Sequence, residues 1–469
     1  VTDHEVADRL AGGIDGPAAL APLLAVALDA LGTGARRRSG PVPAGTPDDL
    51  AAEIASALGG DPLPADGVGP VAALAPLAAA LAAGTADPAD PRCAGHLHCP
   101  PLAVAVAAEV VAAALNPSLD SWDQGPSATE LEPHVVRALA GLVGYDPATA
   151  GGVITSGGTE SNLMGLLLAR ERAGGRLRVF CGEVAHFSVR RNAGLLGLGE
   201  DAVVTVPVDG EHRMDPAALA GLLDAAADEP ACVVATAGST DFGSIDPLPE
   251  VTAICAERGA WCHVDAAYGG GALFSDRLGG LLSGVDGADS VGLDLHKLGW
   301  QPVAAGVFLT ARATALAPLA RRVAYLNPAD DEAAGYPSLL GNSLRTTRRV
   351  DAFKIAVTLR ALGRSGLGRL VDACHDLARY AARRVAATDC LELAAEPVLT
   401  TVVFRHTGGD QVNAALRRRL LAEGTAVVGR TEVDGAVWLK LTLLNPHATP
   451  ADVDALLDAV VAAARTRRR

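Results

Sequence analysis

Apolar and polar positions divide this 469-residue chain into three stretches of different rhythm. Up to about residue 90, Ala/Leu patches at helical spacing alternate with Gly, Pro and Asp breakers. That pattern predicts helices over 19–31 and 49–58, with Gly32 to Pro41 as a loop between them. After a helix over 102–115, short β-branched runs begin to alternate with amphipathic ones. A strand or loop from Val153 to Glu160 runs into a helix over 161–172. Further strands are expected at 178–181, 202–208, 232–236, 261–264, 290–293 and 305–309, and helices at 216–227 and 248–257. Beyond about 345 the rhythm changes again. Two long helices, 349–362 and 368–387, precede short strands at 391–393, 400–405, 425–429 and 438–444. Helices at 413–422 and 451–464 complete that part.

Strands separated by helices argue for an α/β fold with a largely parallel sheet and ligands at its carboxyl edge. The expected division is an N-terminal helical segment over 1–90, a large domain over 91–345 and a smaller α+β domain over 346–469. The first segment has little core of its own and should pack on something else, such as a partner subunit.

Composition narrows the function classes. Lys and Arg number 39 against 54 Asp and Glu, a formal charge of -15 with no basic stripe, which argues against a nucleic-acid binder. The Arg-rich tail, Arg465 to Arg469, reads as a frayed helix end. None of the eight cysteines forms a CxxC pair, so neither a zinc ribbon nor a redox centre is indicated. The polar start, Val1 to Val6, lacks a basic-then-apolar signal pattern, and charged or Gly residues interrupt the alanine-rich runs. The expectation is a reducing, cytoplasmic enzyme with no membrane partner.

Candidate chemistry gathers at predicted strand ends. Asp294-Leu-His296-Lys297 lies about thirty residues after His263-Val-Asp265-Ala-Ala267-Tyr268. An amine, two histidines and a carboxylate in that order suit pyridoxal phosphate. The lysine would form the Schiff base and Asp265 would pair with the protonated pyridine nitrogen, keeping the ring electron-withdrawing. Thr155-Ser-Gly-Gly158-Thr159-Glu-Ser-Asn162 places small residues before a helix, where backbone N–H groups and the helix dipole suit a phosphate. An ordinary capped glycine turn is the competing reading. No Lys-Ser/Thr follows those glycines, so the run is not a Walker loop. His186 follows a short strand and can stack on a pyridine ring, or simply fill a structural role. Thr236 to Gly243 is a hydroxyl- and glycine-rich strand end, and Asp246 beyond it reads as a helix cap. No third ligand stands at regular spacing to His263 and His296, so no metal is expected.

With those runs in place, residues 90 to 450 resemble the group II pyridoxal-phosphate-dependent amino-acid decarboxylases. The matching runs are Ser156 to Asn162, His186-Phe-Ser188, Gly238-Ser-Thr240 with Asp246, His263 to Gly270, Ala288-Asp-Ser290 and His296-Lys297. The resemblance implies a fold of type I with a seven-stranded, mostly parallel sheet in the large domain. It implies Lys297 as the cofactor lysine, Asp265 at the ring nitrogen, and Ala267 and His186 on opposite ring faces. Gly158, Thr159, Asp294 and His296 would surround the phosphate, with Thr240 near the ring substituents. Thr346-Thr347 would lie near the phosphate of a neighbouring subunit, which implies an obligate homodimer. Tyr325 resembles the mobile-loop tyrosine that returns a proton after decarboxylation, with His296 the next candidate.

The implied activity is conversion of an L-amino acid to its amine and carbon dioxide. His96 to Pro101, Asp120 to Gln124, Tyr325 to Asp331, Thr346 to Arg349 and Leu441 to Pro446 resemble the branch acting on 2,4-diaminobutyrate and, in siderophore pathways, lysine. His98 and Trp122 are its candidate substrate-binding residues. The competing readings are an aromatic-amino-acid decarboxylase, an aldehyde-forming carbon–carbon lyase and a non-catalytic assembly protein of the same fold. Two positions depart from the family pattern without removing a chemical group: Arg191, where many relatives carry Lys, and Thr346-Thr347, where some carry a Gly-containing pair.

Overall fold

A computed structural model describes residues 9–465. The sequence expectations for Val1 to Val6, and for the tail after Arg465, lie outside the described residues. Twelve strands appear among those described: β1 (Cys93–Ala94), β2 (Gly151–Thr155), β3 (Arg178–Gly182), β4 (Val203–Val206), β5 (Ala231–Thr236), β6 (Trp261–Ala266), β7 (Ser290–Asp294), β8 (Gly306–Thr310), β9 (Leu391–Leu393), β10 (Thr401–His406), β11 (Val427–Val433) and β12 (Ala436–Thr442).

Seven of them form one sheet in the order β2-β8-β7-β6-β5-β3-β4. The pairs β4/β3, β3/β5, β5/β6 and β6/β7 are parallel. Strand β8 runs antiparallel to both its neighbours, so β2 points the same way as β7. The central strands are buried on both faces, which is why their sequences read as continuous apolar runs without alternation. One face packs on a cluster that includes Val135, Leu139, Val251, Leu298 and Trp300; the other packs on Met164, Leu166, Val189 and Leu316.

The remaining strands form a five-stranded sheet, β1-β11-β12-β10-β9. Its outer strand β1 comes from far earlier in the chain and pairs in parallel with β11, a connection the sequence rhythm did not disclose. Helices Asp410–Ala422 and Pro450–Arg465 and the C-terminal half of Ala352–Ala386 cover this sheet. The two helices expected around 349–387 are present and meet at a kink at Gly363, whose backbone has the non-helical φ 64° and ψ 176°.

Three local readings are corrected. The expected loop after residue 31 is helical: Gly16–Arg38 continues through Gly32-Thr-Gly-Ala. Gly34 lies so close to the helix Pro70–Gly84 that a Cβ there would come within 2.3 Å of the Ala79 carbonyl oxygen. Packing against that neighbour overrides the weak propensity of the two glycines. The helix is also long and apolar enough, by length and composition alone, to cross a membrane; the interruptions were given too much weight because small residues hardly lower its mean hydropathy. Finally, Pro126–Val143 is a helix where the sequence rhythm predicts none, although Val135, Val136, Leu139, Ala140 and Val143 recur on one buried face.

Candidate active site

The carboxyl ends of β5, β6 and β7 lie side by side, with Thr236 opposite Asp265 and Asp265 opposite Gly292. The turn after β2 reaches the same edge. Together these ends enclose a cavity of about 300 Å³ lined by Ser156 to Thr159, His186, Thr236, Gly238 to Thr240, Asp265, Ala267, Tyr268, Asp294, His296 and Lys297.

Each side chain is held by a local cause. Lys297 follows the tight turn after β7, where its backbone N–H donates to the Asp294 carbonyl. Its ammonium lies 3.1 Å from Asp294 Oδ2, and His296 Nε2 lies 3.5 Å from the same oxygen. His296 Nδ1 accepts from the Ala305 backbone N–H at 3.2 Å, which places the proton of a neutral ring on Nε2. Burial depresses the His296 pKa, against the opposing pull of Asp294. Asp265 sits at the end of β6, with Oδ1 accepting from the Ala267 backbone at 3.1 Å and Oδ2 from Asn162 Nδ2 at 2.7 Å. Burial also depresses the His186 pKa, with Asp265 pulling the other way. Both imidazoles are therefore neutral at neutral pH.

The helix Gly158–Arg172 aims its N-terminus into the cavity, where the first-turn N–H groups have no carbonyl of their own turn to bond. Close approach explains its glycines. A Cβ at Gly158 would come within 2.9 Å of the Ala267 methyl, and one at Gly157 within 3.2 Å of the His296 ring. Outside the cavity, Glu160 accepts from the Ser156 backbone N–H at 2.6 Å and from Arg345 Nε at 2.8 Å, fixing the turn.

Asp246 does not cap a helix as expected. It is buried and accepts from the backbone N–H groups of Met214 and Thr236, each at 2.7 Å, so it clamps the end of β5. Burial raises its pKa to about 6 despite those two donors.

The structure brings together ten of the residues singled out in the sequence: Gly158, Thr159, His186, Thr240, Asp265, Ala267, Asp294, His296, Lys297 and, in the adjoining network, His263. It does not bring in His98, Trp122, Tyr325, Thr346 or Thr347. His98, Thr346 and Thr347 are exposed, although neighbouring Cys99 donates its thiol hydrogen to the His296 carbonyl. Trp122 and Tyr325 instead share a separate cavity of about 370 Å³ with Asp123, Asp331, Glu332 and Tyr336. Tyr325 there is 81% exposed. Arg348, beside the Thr346-Thr347 turn, is a core residue: its Nη1 lies 2.7 and 2.9 Å from the two oxygens of buried Glu132.

Thr236, Ser239 and Tyr268 line the cavity without having been assigned a role. Each stood inside a run already picked out, and only their orientation was missing. Two buried oxygens of cavity-lining residues, Asp294 Oδ1 and Thr236 Oγ1, have no hydrogen-bond partner within the protein. A lysine amine, a carboxylate, a flat imidazole and a helix N-terminus around such orphaned oxygens fit pyridoxal phosphate. Among the described residues no group of three or more His, Cys, Asp and Glu side chains could hold a metal ion.

Comparison with known proteins agrees. The model of the pyridoxal-dependent decarboxylase conserved domain matches residues 77–407. The L-2,4-diaminobutyrate decarboxylase of Rhizobium meliloti (strain 1021) is 44% identical over 418 residues, 86% of this chain and 84% of that protein. Its counterpart from Acinetobacter baumannii is 38% identical, over 80% of each chain. In three dimensions, the glutamate decarboxylase domain of diaminobutyrate-pyruvate transaminase and L-2,4-diaminobutyrate decarboxylase from Vibrio parahaemolyticus superposes with a TM-score of 0.87. It is 32% identical and the match covers 98% of this chain and 99% of that one.

Proposed function

The chain belongs to the pyridoxal-dependent decarboxylase family and is a pyridoxal-phosphate-dependent amino-acid decarboxylase, and we propose that its substrate is an aliphatic L-diamino acid, 2,4-diaminobutyrate or lysine. The observation that carries this reading is the 44% identity, across nearly the whole chain, to a protein that decarboxylates L-2,4-diaminobutyrate.

Bound pyridoxal phosphate supplies the electron sink for the bond that breaks. The chain's own residues do the rest in this reading. Lys297 holds the cofactor and yields its place to the substrate amine. Asp265, fixed by two N–H donors, keeps the ring nitrogen charged. Ala267 and His186 would confine the ring, and the Ser156–Thr159 turn with the helix N-terminus would hold the phosphate. The cavity walls would orient the substrate carboxylate for the bond cleavage whose electrons the cofactor would take up. A side chain would then return a proton to Cα. We assign this to Tyr325, which reaches the cavity only if its loop moves or a second chain supplies it. His296, already at the cavity wall, is the alternative donor.

We propose a homodimer for the same reason. Leu28, Leu31, Leu81 and Leu115 lie on helices Gly16–Arg38, Pro70–Gly84 and Ala103–Leu115 and are 49–71% exposed. Gly16–Arg38 and Pro70–Gly84 pack on each other, and in this reading a second copy covers these exposed leucines. Carbon dioxide release across the natural amino acids and 2,4-diaminobutyrate tests the substrate. Preference for aromatic or acidic amino acids over every aliphatic diamino acid overturns it. Sedimentation of the holoenzyme at several concentrations should show two chains; a fully active monomer overturns the dimer.

A further inference from the structure

Beneath the cofactor cavity runs a buried chain of hydrogen bonds, of which the proposed mechanism uses only the Asn162–Asp265 link. Trp261 Nε1 donates to Ser290 Oγ at 3.0 Å, and Ser290 Oγ is 2.9 Å from His263 Nδ1. His263 Nε2 is 2.9 Å from Asn162 Oδ1. The amide nitrogen of Asn162 forks: one hydrogen goes to Asp265 Oδ2 at 2.7 Å and the other to Ser188 Oγ at 3.0 Å. Ser188 Oγ is in turn 2.8 Å from His186 Nδ1. Asn162, Ser188, His263 and Ser290 are all at most 1% exposed.

Only one direction of donation satisfies every link. An indole N–H can only donate and an ionised carboxylate can only accept. Asn162 must therefore turn its nitrogen to Asp265 and its oxygen to His263. Ser290, accepting from Trp261, must donate to Nδ1 of His263, and His263 then donates through Nε2. Burial pushes His263 down to about 4, so the ring is neutral and has one proton to give. His186 Nδ1 accepts from the Ser188 backbone N–H at 3.3 Å, so Ser188 Oγ donates to the same nitrogen and the His186 proton is left on Nε2.

We propose that Asn162 is the positioning residue of this site: its amide holds the Asp265 carboxylate in place and, through Ser188 Oγ, orients the His186 ring. This rests on the assignment of Asp265 to the ring nitrogen and His186 to the ring face. The network is built in from the backbone up. The His263 ring lies against Gly165, where a Cβ would come within 2.7 Å of Nδ1, so any larger residue at 165 displaces it.

The test loads apo-protein with pyridoxal phosphate and reads the dissociation constant across pH, with kcat and KM alongside and thermal unfolding of the apo form as the check on folding. Asn162→Ala loses a hydrogen bond to a charged group and should weaken cofactor binding about tenfold or more. Asn162→Asp keeps the shape but loses the donor and sets a second carboxylate against Asp265. Near neutral pH it should bind cofactor more weakly than the alanine variant. It should recover as pH falls, because the introduced carboxyl, once protonated, donates again. The other charges facing this cluster, Lys297, Asp294 and Arg191, are common to all variants, so that pH response reads the new carboxyl. A space-filling role predicts the opposite: Asn162→Asp near wild type at all pH, with Asn162→Ala the worse; that result overturns the proposal.

Ser188→Ala cuts only the His186 branch. It should lower kcat while leaving the pH response of cofactor binding as in wild type. A wild-type His186 protonated on Nδ1 also overturns the proposal. Asp265→Asn separates the two levels of the argument. If it leaves cofactor binding and absorbance unchanged, the assignment of Asp265 fails and takes this inference with it. If it impairs them while Asn162→Asp does not, only the inference about Asn162 fails.

Discussion

Replacing Asp265 by Asn tests the electrostatic centre of the site with almost no change of shape. Both carboxylate oxygens already accept protein donors, the Ala267 backbone N–H at 3.1 Å and Asn162 Nδ2 at 2.7 Å. An amide has a single oxygen. Whichever way it turns, its NH2 group faces a donor it cannot bond, and one of two charge-assisted hydrogen bonds is lost, typically about 1.5–3 kcal/mol. The larger effect is on the chemistry. Without a carboxylate the ring nitrogen loses the charge that draws in the electrons of the breaking bond. Removing one such preorganised group commonly costs about 10²–10³ in rate, and the loss falls on kcat because it is felt most in the transition state. The assay is carbon dioxide release at saturating substrate, with cofactor occupancy followed by absorbance and held constant by excess pyridoxal phosphate. Wild-type kcat at full occupancy would refute the pairing of Asp265 with the ring.

Other perturbations probe separate parts. Lys297→Ala should abolish the borohydride-reducible cofactor adduct, and peptide mapping of the wild type should place that adduct on Lys297; an adduct on another lysine removes the assignment. Tyr325→Phe should keep the cofactor bound but lower the rate of amine formation by about 10²–10⁴, with carbonyl by-products rising. A normal amine yield and rate would pass the role to His296. Asp246 titrates at about 6 in the fold against 3.8 ordinarily. A raised carboxyl pKa means its contribution to stability is full below about pH 4 and is lost as pH rises through 6, by about 3 kcal/mol at most. Denaturant melts of wild type and Asp246→Asn should therefore differ in slope between pH 4 and 6, wild type losing stability relative to the variant. Parallel slopes would contradict the burial argument.

The parts of the fold legible in the sequence are those where one physical cause dominates. Strands β5, β6 and β7 are buried on both faces, so their apolar runs, closed by polar residues, mark them to within a residue or two. Elements decided by long-range packing were less legible. Gly32 and Gly34 look like loop residues until Pro70–Gly84 is laid against them. The two-residue strand β1 exists only because β11, more than 330 residues later, offers it an edge. At the site, Asp246 shows the same limit. Its sequence position fits a helix cap, but burial and two backbone donors from β5 and the Met214 turn make it a clamp.

Function divides along a similar line. Every candidate that the structure gathers around Lys297 lies at or just beyond the end of a strand or the start of a helix of the seven-stranded sheet: Gly158 and Thr159 after β2, His186 after β3, Thr240 after β5, Asp265 and Ala267 at β6, Asp294 and His296 at β7. A parallel sheet brings such positions together whatever lies between them, so spacing along the chain carries geometric information. His98, Trp122, Tyr325 and Thr346-Thr347 sit in connecting segments outside that sheet. There the same kind of match fixes identity but not position. These are also the residues expected to touch the substrate or a neighbouring chain. The cofactor end is closed by strand ends within one chain, whereas the residues expected at the substrate end lie outside that cavity. That is why the cofactor could be read from order and spacing, whereas the reaction came from the family resemblance and the substrate must be read from a carbon dioxide release assay.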